Sequence, residues 1–257
     1  MRGQGLHLAI SAGGEAGELA RKSGAPQPLS NALPAPANDV LPRETSSDAD
    51  SMVLRADVDW AHLGMSDLDE VDAARAQEYA LLAALLARAP DAEFLGRLEK
   101  LRGDASPLGL AHAAVAEAAS RTDVERVNRE YFNLFIGLGR GELMPYGSYY
   151  LSGFLHERPL ARLRQDLARF GIERVENHPE PEDHPAILCE IMAGIVGGRF
   201  DAPPGADHEI FRKHLAPWIG RFFADLERAE GADFYRRIGT LGRVFIQIET
   251  EAFALPS

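Results

Sequence analysis

The run Ala186 to Val196 is apolar apart from Glu190, and it is far too short to cross a bilayer. A stretch like this has to be buried among other elements, so it predicts a central helix that the rest of the chain packs around. Its approach, Glu180-Pro181-Glu182-Asp183-His184-Pro185, is stiffened by Pro179, Pro181 and Pro185. Proline fits only the first turn of a helix, so Pro185 should open this one. His184 precedes a proline and is biased away from helical geometry, which leaves either His184 or Asp183 as the cap.

The turn is also a candidate binding site. Ionised carboxylates accept the two parallel bonds that a guanidinium offers, so Glu180, Glu182 and Asp183 suit a basic ligand. The same carboxylates also suit an ordinary acidic first turn favoured by the helix dipole, with His184 simply exposed. The turn alone does not choose between these readings.

The bulk composition narrows the classes. The chain has 257 residues, 46% hydrophobic and 26% charged, enough for one globular domain with a sizeable core plus an extension. The formal net charge of -12, with a sequence pI near 5.1, makes nucleic acid and anionic membrane surfaces poor partners and basic peptides better ones. The single cysteine, Cys189, allows no intramolecular disulfide and no multi-cysteine zinc site, which suits a reducing cytoplasm.

Residues 1–66 are rich in Gly, Ala, Pro, Ser and Asp without a sustained period, which predicts a disordered extension. A mis-assigned start, with Met52 or Met65 as the true initiator, explains the same tail. Residues 67–257 form the expected domain, and their pattern is of helices with short breaks: Glu70 to Ala89 before Pro90, Asp91 to Arg102 before Gly103, and a helix capped by Ser106 with Pro107 at its first position. Thr122 and Glu125 have capping-box spacing, predicting a helix to Ile136. The glycine-punctuated stretch 137–147 lacks the preceding strand and the lysine of a phosphate loop, and reads as a connector and hinge. Further helices are expected over Ser148 to Leu155, Pro159 to Phe170, Pro185 to Val196, Asp207 (as cap) to Ala216, Pro217 to Ala229 and Ala232 to Phe253. Strand-like alternation is missing, so the fold class is all-α, a helical bundle.

His178, Glu180, Asp183 and His184, with His208 and His214 following, are the candidate metal ligands. Prolines prevent His178 and His184 from sharing a helical face, so neither a metal nor any other cofactor is expected. Cys189 lies inside an apolar helix and no nucleophile elbow is present, so a non-enzyme is expected. Aromatic residues suggest binding instead. Phe132 and Phe135 fit a core, whereas Tyr146, Tyr149 and Tyr150 each need a hydroxyl partner and suit the wall of a peptide groove. Trp218 fits either.

Glu130 to Gly137 (EYFNLFIG), Pro145 to Ser148 (PYGS) and Glu180 to His184 (EPEDH), with His214 to Trp218, together resemble the TorD/DmsD/NarJ family of redox-enzyme maturation chaperones, over about residue 67 to the end. The resemblance implies an all-helical, cytoplasmic TorD-like protein. Such a protein binds the twin-arginine signal peptide and the apo form of a molybdenum- or tungsten-cofactor oxidoreductase until cofactor insertion is complete. The wording of 137–150 looks like members associated with formate dehydrogenases. Pro181, Asp183 and His184 occupy the family's signature turn, and Tyr146, Gly147 and Ser148 its loop. On this reading Asp183 pairs with a peptide arginine, helped by Glu180, Glu182 and Glu142, while Tyr146, Tyr150 and Trp218 line a groove for the apolar segment. His184 either binds or bonds across the turn. No nucleic acid or stable membrane association is expected, and either a monomer or a domain-swapped dimer is compatible. A helical metal-dependent hydrolase and a general helical adaptor are the alternatives.

Overall fold

Two helices lie side by side at the centre of the protein. The first, α1, spans Glu70–Ala87, and the second, α7, spans Pro185–Val196; their mutual packing is the most extensive in the computed structural model, which describes residues 69–172 and 180–255. Nine of the twelve residues of α7 are buried, so it is a core helix and not an amphipathic surface one. Ile187, Leu188, Ile191 and Met192 meet the apolar face of α1 formed by Tyr79, Leu82, Leu85 and Leu86 within one continuous core. Each such side chain contributes about 1.5–3 kcal/mol of burial. Cys189 is fully enclosed there, and burial pushes its thiol up to about 12.

The other helices surround this pair: α2 Ala92–Leu98, α3 Pro107–Arg121, α4 Val124–Tyr131, α5 Gly147–Ser152, α6 Arg158–Arg169, α8 Ala206–Ile210, α9 Ile219–Arg228 and α10 Phe234–Phe253. α10 packs on α9 and α3, closing the bundle. Among the described residues there is no strand, in agreement with the all-α expectation. The extension expected over 1–66, and His178 and Pro179, lie outside the described residues.

Several boundaries follow from local chemistry. Asp69 caps α1, Asp91 caps α2 and the Ser106 hydroxyl accepts the Gly109 amide at 3.1 Å with Pro107 at the first helical position. Others differ from expectation. The α4 cap is Asp123, whose carboxylate accepts the Arg126 amide at 2.9 Å, while Thr122 terminates α3. Glu125 is therefore not half of a capping box; it pairs along the helix with Arg129 at 2.6 Å. Asp207 sits inside the first turn of α8, behind Gly205 at φ +83°, and reaches Arg75 at 3.3 Å. Val71 and Ala74, in the first half of α1, are exposed, because only the second half of that helix is enclosed.

Two helices end in π-type turns, α4 through Phe132–Ile136 and α8 through Phe211–Leu215. The first re-aims Phe132 outward to 37% exposure, so it is not a core residue, while Phe135 packs on Tyr131 and Tyr235 at 5.0 and 5.4 Å. Gly137 then turns the chain at φ +62°, and the loop folds back so that the Glu142 and Leu143 amides reach the Asn133 and Leu134 carbonyls at 3.0 and 2.8 Å.

Candidate functional site

The loop before α5 and the turn before α7 lie against each other. The turn is set by its own chemistry: the His184 amide donates to the Pro181 carbonyl at 3.1 Å, and His184 Nδ1 accepts the Ala186 amide at 3.2 Å, capping α7 with Pro185 in first place. This decides the cap in favour of His184.

Asp183 then faces the other helix. Its carbonyl accepts the Gly147 amide at 2.9 Å and its Oδ2 accepts the Ser148 amide at 2.7 Å, so the acidic residue of the α7 turn supplies the acceptor for the start of α5. Tyr146 completes the joint. Its hydroxyl donates to Glu180 Oε2 at 2.7 Å and its ring meets the His184 imidazole edge-on, with centroids 5.5 Å apart. Burial first, and then the neighbouring Glu180 carboxylate, hold the Tyr146 hydroxyl well above its usual range. Thus the two stretches, about 35 residues apart in sequence, form one hydrogen-bonded unit.

Glycine at 147 has a steric reason. A Cβ there would stand 3.0 Å from Trp218 Nε1 and 3.1 Å from its Cε2. Trp218 itself is 1% exposed, donates Nε1–H to the His214 carbonyl at 2.6 Å, and supports the Tyr150 ring at 5.5 Å. The choice left open for Trp218 therefore falls to the core, and it lines no open groove. Tyr150 is half-buried and gives its hydroxyl to Asp225 at 3.0 Å.

The carboxylates are far less available than an open acidic turn would be. Glu182 is buried and held by Arg164 at 2.8 and 2.9 Å, so the guanidinium–carboxylate pairing anticipated for a ligand is made within the chain. Asp183 is 3% exposed, Pro181 is buried, and Glu180 alone of the three acids is partly open. Glu142 faces elsewhere, accepting the Glu230 and Gly231 amides at 2.6 and 3.0 Å. Glu130 accepts the amides of Asp233, Phe234 and Tyr235, so Glu130 and Glu142 tie α4 and its loop to the start of α10.

Arg164, Asp225 and the Asp166–His214 pair escaped the sequence reading. Asp166 holds His214 Nε2 at 2.8 Å, anchoring α6 to the π turn beneath Trp218. Burial lowers the His214 imidazole's affinity for a proton, and Asp166 opposes this. His208 stacks on Phe253, and among the described residues no group of three or more His, Cys, Asp or Glu side chains is arranged to hold a metal.

Residues 101–224 match the family model described as the nitrate reductase delta subunit. A chaperone protein TorD from Vibrio cholerae is 23% identical over 205 residues, covering 71% of this chain and 93% of the relative. A Haemophilus influenzae protein described as the Tat proofreading chaperone DmsD is 28% identical over 119 residues, covering 46% of this chain and 57% of that one. A solved structure from Archaeoglobus fulgidus, described as a redox enzyme maturation protein, aligns with a TM-score of 0.44 at 21% identity, covering 68% of this chain and 93% of that chain. Residues 101–224 are thus similar to the nitrate reductase delta subunit model, and a longer stretch of the chain is similar to TorD chaperones.

Proposed function

We propose that this protein is a chaperone in the maturation of a molybdenum- or tungsten-cofactor oxidoreductase, with formate dehydrogenase the first client to try. It binds the client's twin-arginine signal peptide and apo form in the cytoplasm until cofactor insertion is complete, and it acts by binding and not by catalysis. The observation that carries the reading is the joint between Tyr146-Gly147-Ser148 and Glu180 to His184, where the buried Asp183 carboxylate, the partly open Glu180 and the Tyr146 ring meet. Similarity to TorD and DmsD chaperones supports the chaperone role, and the net charge of -12 favours encounter with a basic peptide. Among the described residues no helix is long and apolar enough to cross a membrane.

The test is titration calorimetry with a synthetic signal peptide carrying paired arginines against the same peptide with both changed to lysine. The arginine peptide should bind much more tightly, and Asp183→Ala should lose about 1–3 kcal/mol of that affinity, the range for a charged hydrogen bond. Equal affinity for the two peptides points to a general adaptor and overturns the proposal, as does no binding at all.

A further inference from the structure

We propose that α5 is a gate over Asp183: an arginine of the bound peptide displaces the Ser148 amide from the carboxylate, and α5 lifts to admit it. This rests on the peptide-binding reading and adds how a buried acid becomes available to a ligand.

Three observations lead there. First, the closed joint is imperfectly satisfied. Asp183 Oδ2 has the Ser148 amide, but among the described residues Asp183 Oδ1 and Ser148 Oγ are both buried without a hydrogen-bond partner. Buried polar groups in native proteins are paired as a rule, so two orphans on the two residues of one contact mark a joint that another donor can improve. A guanidinium carries two parallel N–H donors and can serve both carboxylate oxygens at once, where the amide serves one.

Second, α5 is lightly held. Its only buried residues are Gly147 and Ser148, and the large side chain it rests on the core is the half-buried Tyr150 ring, against Trp218 and Phe222. Leu151, Phe154 and Leu155 face solvent instead, and Gly153 leaves the helix at φ +81°. Beyond that ring the helix is fastened by exchangeable polar links: Tyr150 hydroxyl to Asp225, and Arg221 to the Tyr150 carbonyl at 2.8 Å. By contrast α6 is rooted by Leu160, Leu163 and Leu167, so the moving part ends before it. Few buried apolar contacts with peripheral hydrogen bonds describe a segment that opens well below global unfolding.

Third, lifting α5 uncovers an apolar floor. Gly147 and Tyr150 lie on Trp218, so their withdrawal opens the indole face beside Asp183. A site with a carboxylate next to an aromatic plane fits an arginine followed by an apolar segment.

Hydrogen exchange of the free protein tests the gate without any peptide. Amides of Gly147 to Ser152 should exchange much faster than those of Leu188 to Met192; equal, global-unfolding rates in both would overturn the gate. Adding the arginine peptide should raise exchange over Gly147 to Ser152 further. In a Trp60→Phe background, where Trp218 is the sole tryptophan, the same peptide should change its emission and the lysine peptide should not. Asp225→Ala removes a link that exists only in the closed state, so it should bind the arginine peptide up to about tenfold tighter. Tight binding with unchanged exchange, unchanged emission and no gain in Asp225→Ala overturns the gate but leaves the chaperone reading standing. No preference for arginine over lysine overturns that reading and the arginine trigger together, while the free-protein exchange still decides whether α5 opens.

Discussion

Glu130 offers a sharp test of how the bundle is closed. Its carboxylate accepts the Asp233 amide at 2.9 Å, the Phe234 amide at 3.2 Å and the Tyr235 amide at 2.7 Å, capping a helix that begins more than 100 residues later. Asp233, at the cap position of α10, makes no side-chain capping bond of its own, so Glu130 is a substitute cap supplied from α4. Removing an ordinary cap costs about 0.5–2 kcal/mol, and hydrogen bonds to charged groups contribute about 1.5–3 kcal/mol each. The Asp233 amide is open enough for water to replace the carboxylate, whereas those of Phe234 and Tyr235 belong to buried residues. Glu130→Ala should therefore destabilise by about 2–3 kcal/mol, or roughly 4–12 °C in Tm for a domain of this size.

Burial, opposed by the three amides, raises the Glu130 carboxyl above its ordinary value, so the folded state favours the protonated form. With the folded value raised, that proton-linked contribution is fully present below the unfolded value and is lost as pH rises through the folded one. Near neutral pH the charge is thus partly a liability, and Glu130→Gln, which keeps a carbonyl for two of the amides, should cost under about 1 kcal/mol. Urea unfolding followed by circular dichroism, with Glu125→Ala as an exposed control, measures all three. Equal small effects for Glu130→Ala and Glu125→Ala would refute the substitute-cap argument.

Two other predictions concern the outer ties of α1. Glu249, 1% exposed, holds Arg75 at 2.8 and 2.9 Å and the Tyr79 hydroxyl at 2.8 Å, so Glu249→Ala strands two partners and should destabilise by about 3 kcal/mol in thermal unfolding; a loss below about 1 kcal/mol would mean water replaces the carboxylate. His112 Nε2 lies 2.9 Å from Glu78 on α1, and this bond raises the imidazole above 6.5 against the effect of burial, with Asp104 adding in the same sense. The raised value means the stabilisation is fully present below about pH 6.5 and fades as pH rises through the folded value, so His112→Gln should flatten that part of the stability profile.

Helix starts were legible where a local pattern is unambiguous: Ser106 before Pro107, and Pro185 as the opening residue of α7. Where two neighbours could serve equally, as with Thr122 and Asp123, local chemistry did not decide, because the choice depends on how α3 ends against the core. The fate of the carboxylates was not legible at all. Glu182, Asp183, Glu142 and Glu130 look alike in sequence, yet one pairs with Arg164, one receives the start of α5, and two hold the amides before and within α10.

The sequence by itself determined the class of fold, the buried helix, most breaks between helices and the set of motifs that carries the resemblance to redox-enzyme maturation chaperones. These depend on side-chain period, proline and glycine geometry and capping, which act within a few residues. Only the tertiary structure decided that Trp218 is core, that Asp183 is enclosed beneath α5 and that Arg164 takes the place anticipated for a ligand. Those outcomes depend on which distant groups meet, and a carboxylate in a short acidic stretch carries no local record of the donor that packing will bring to it.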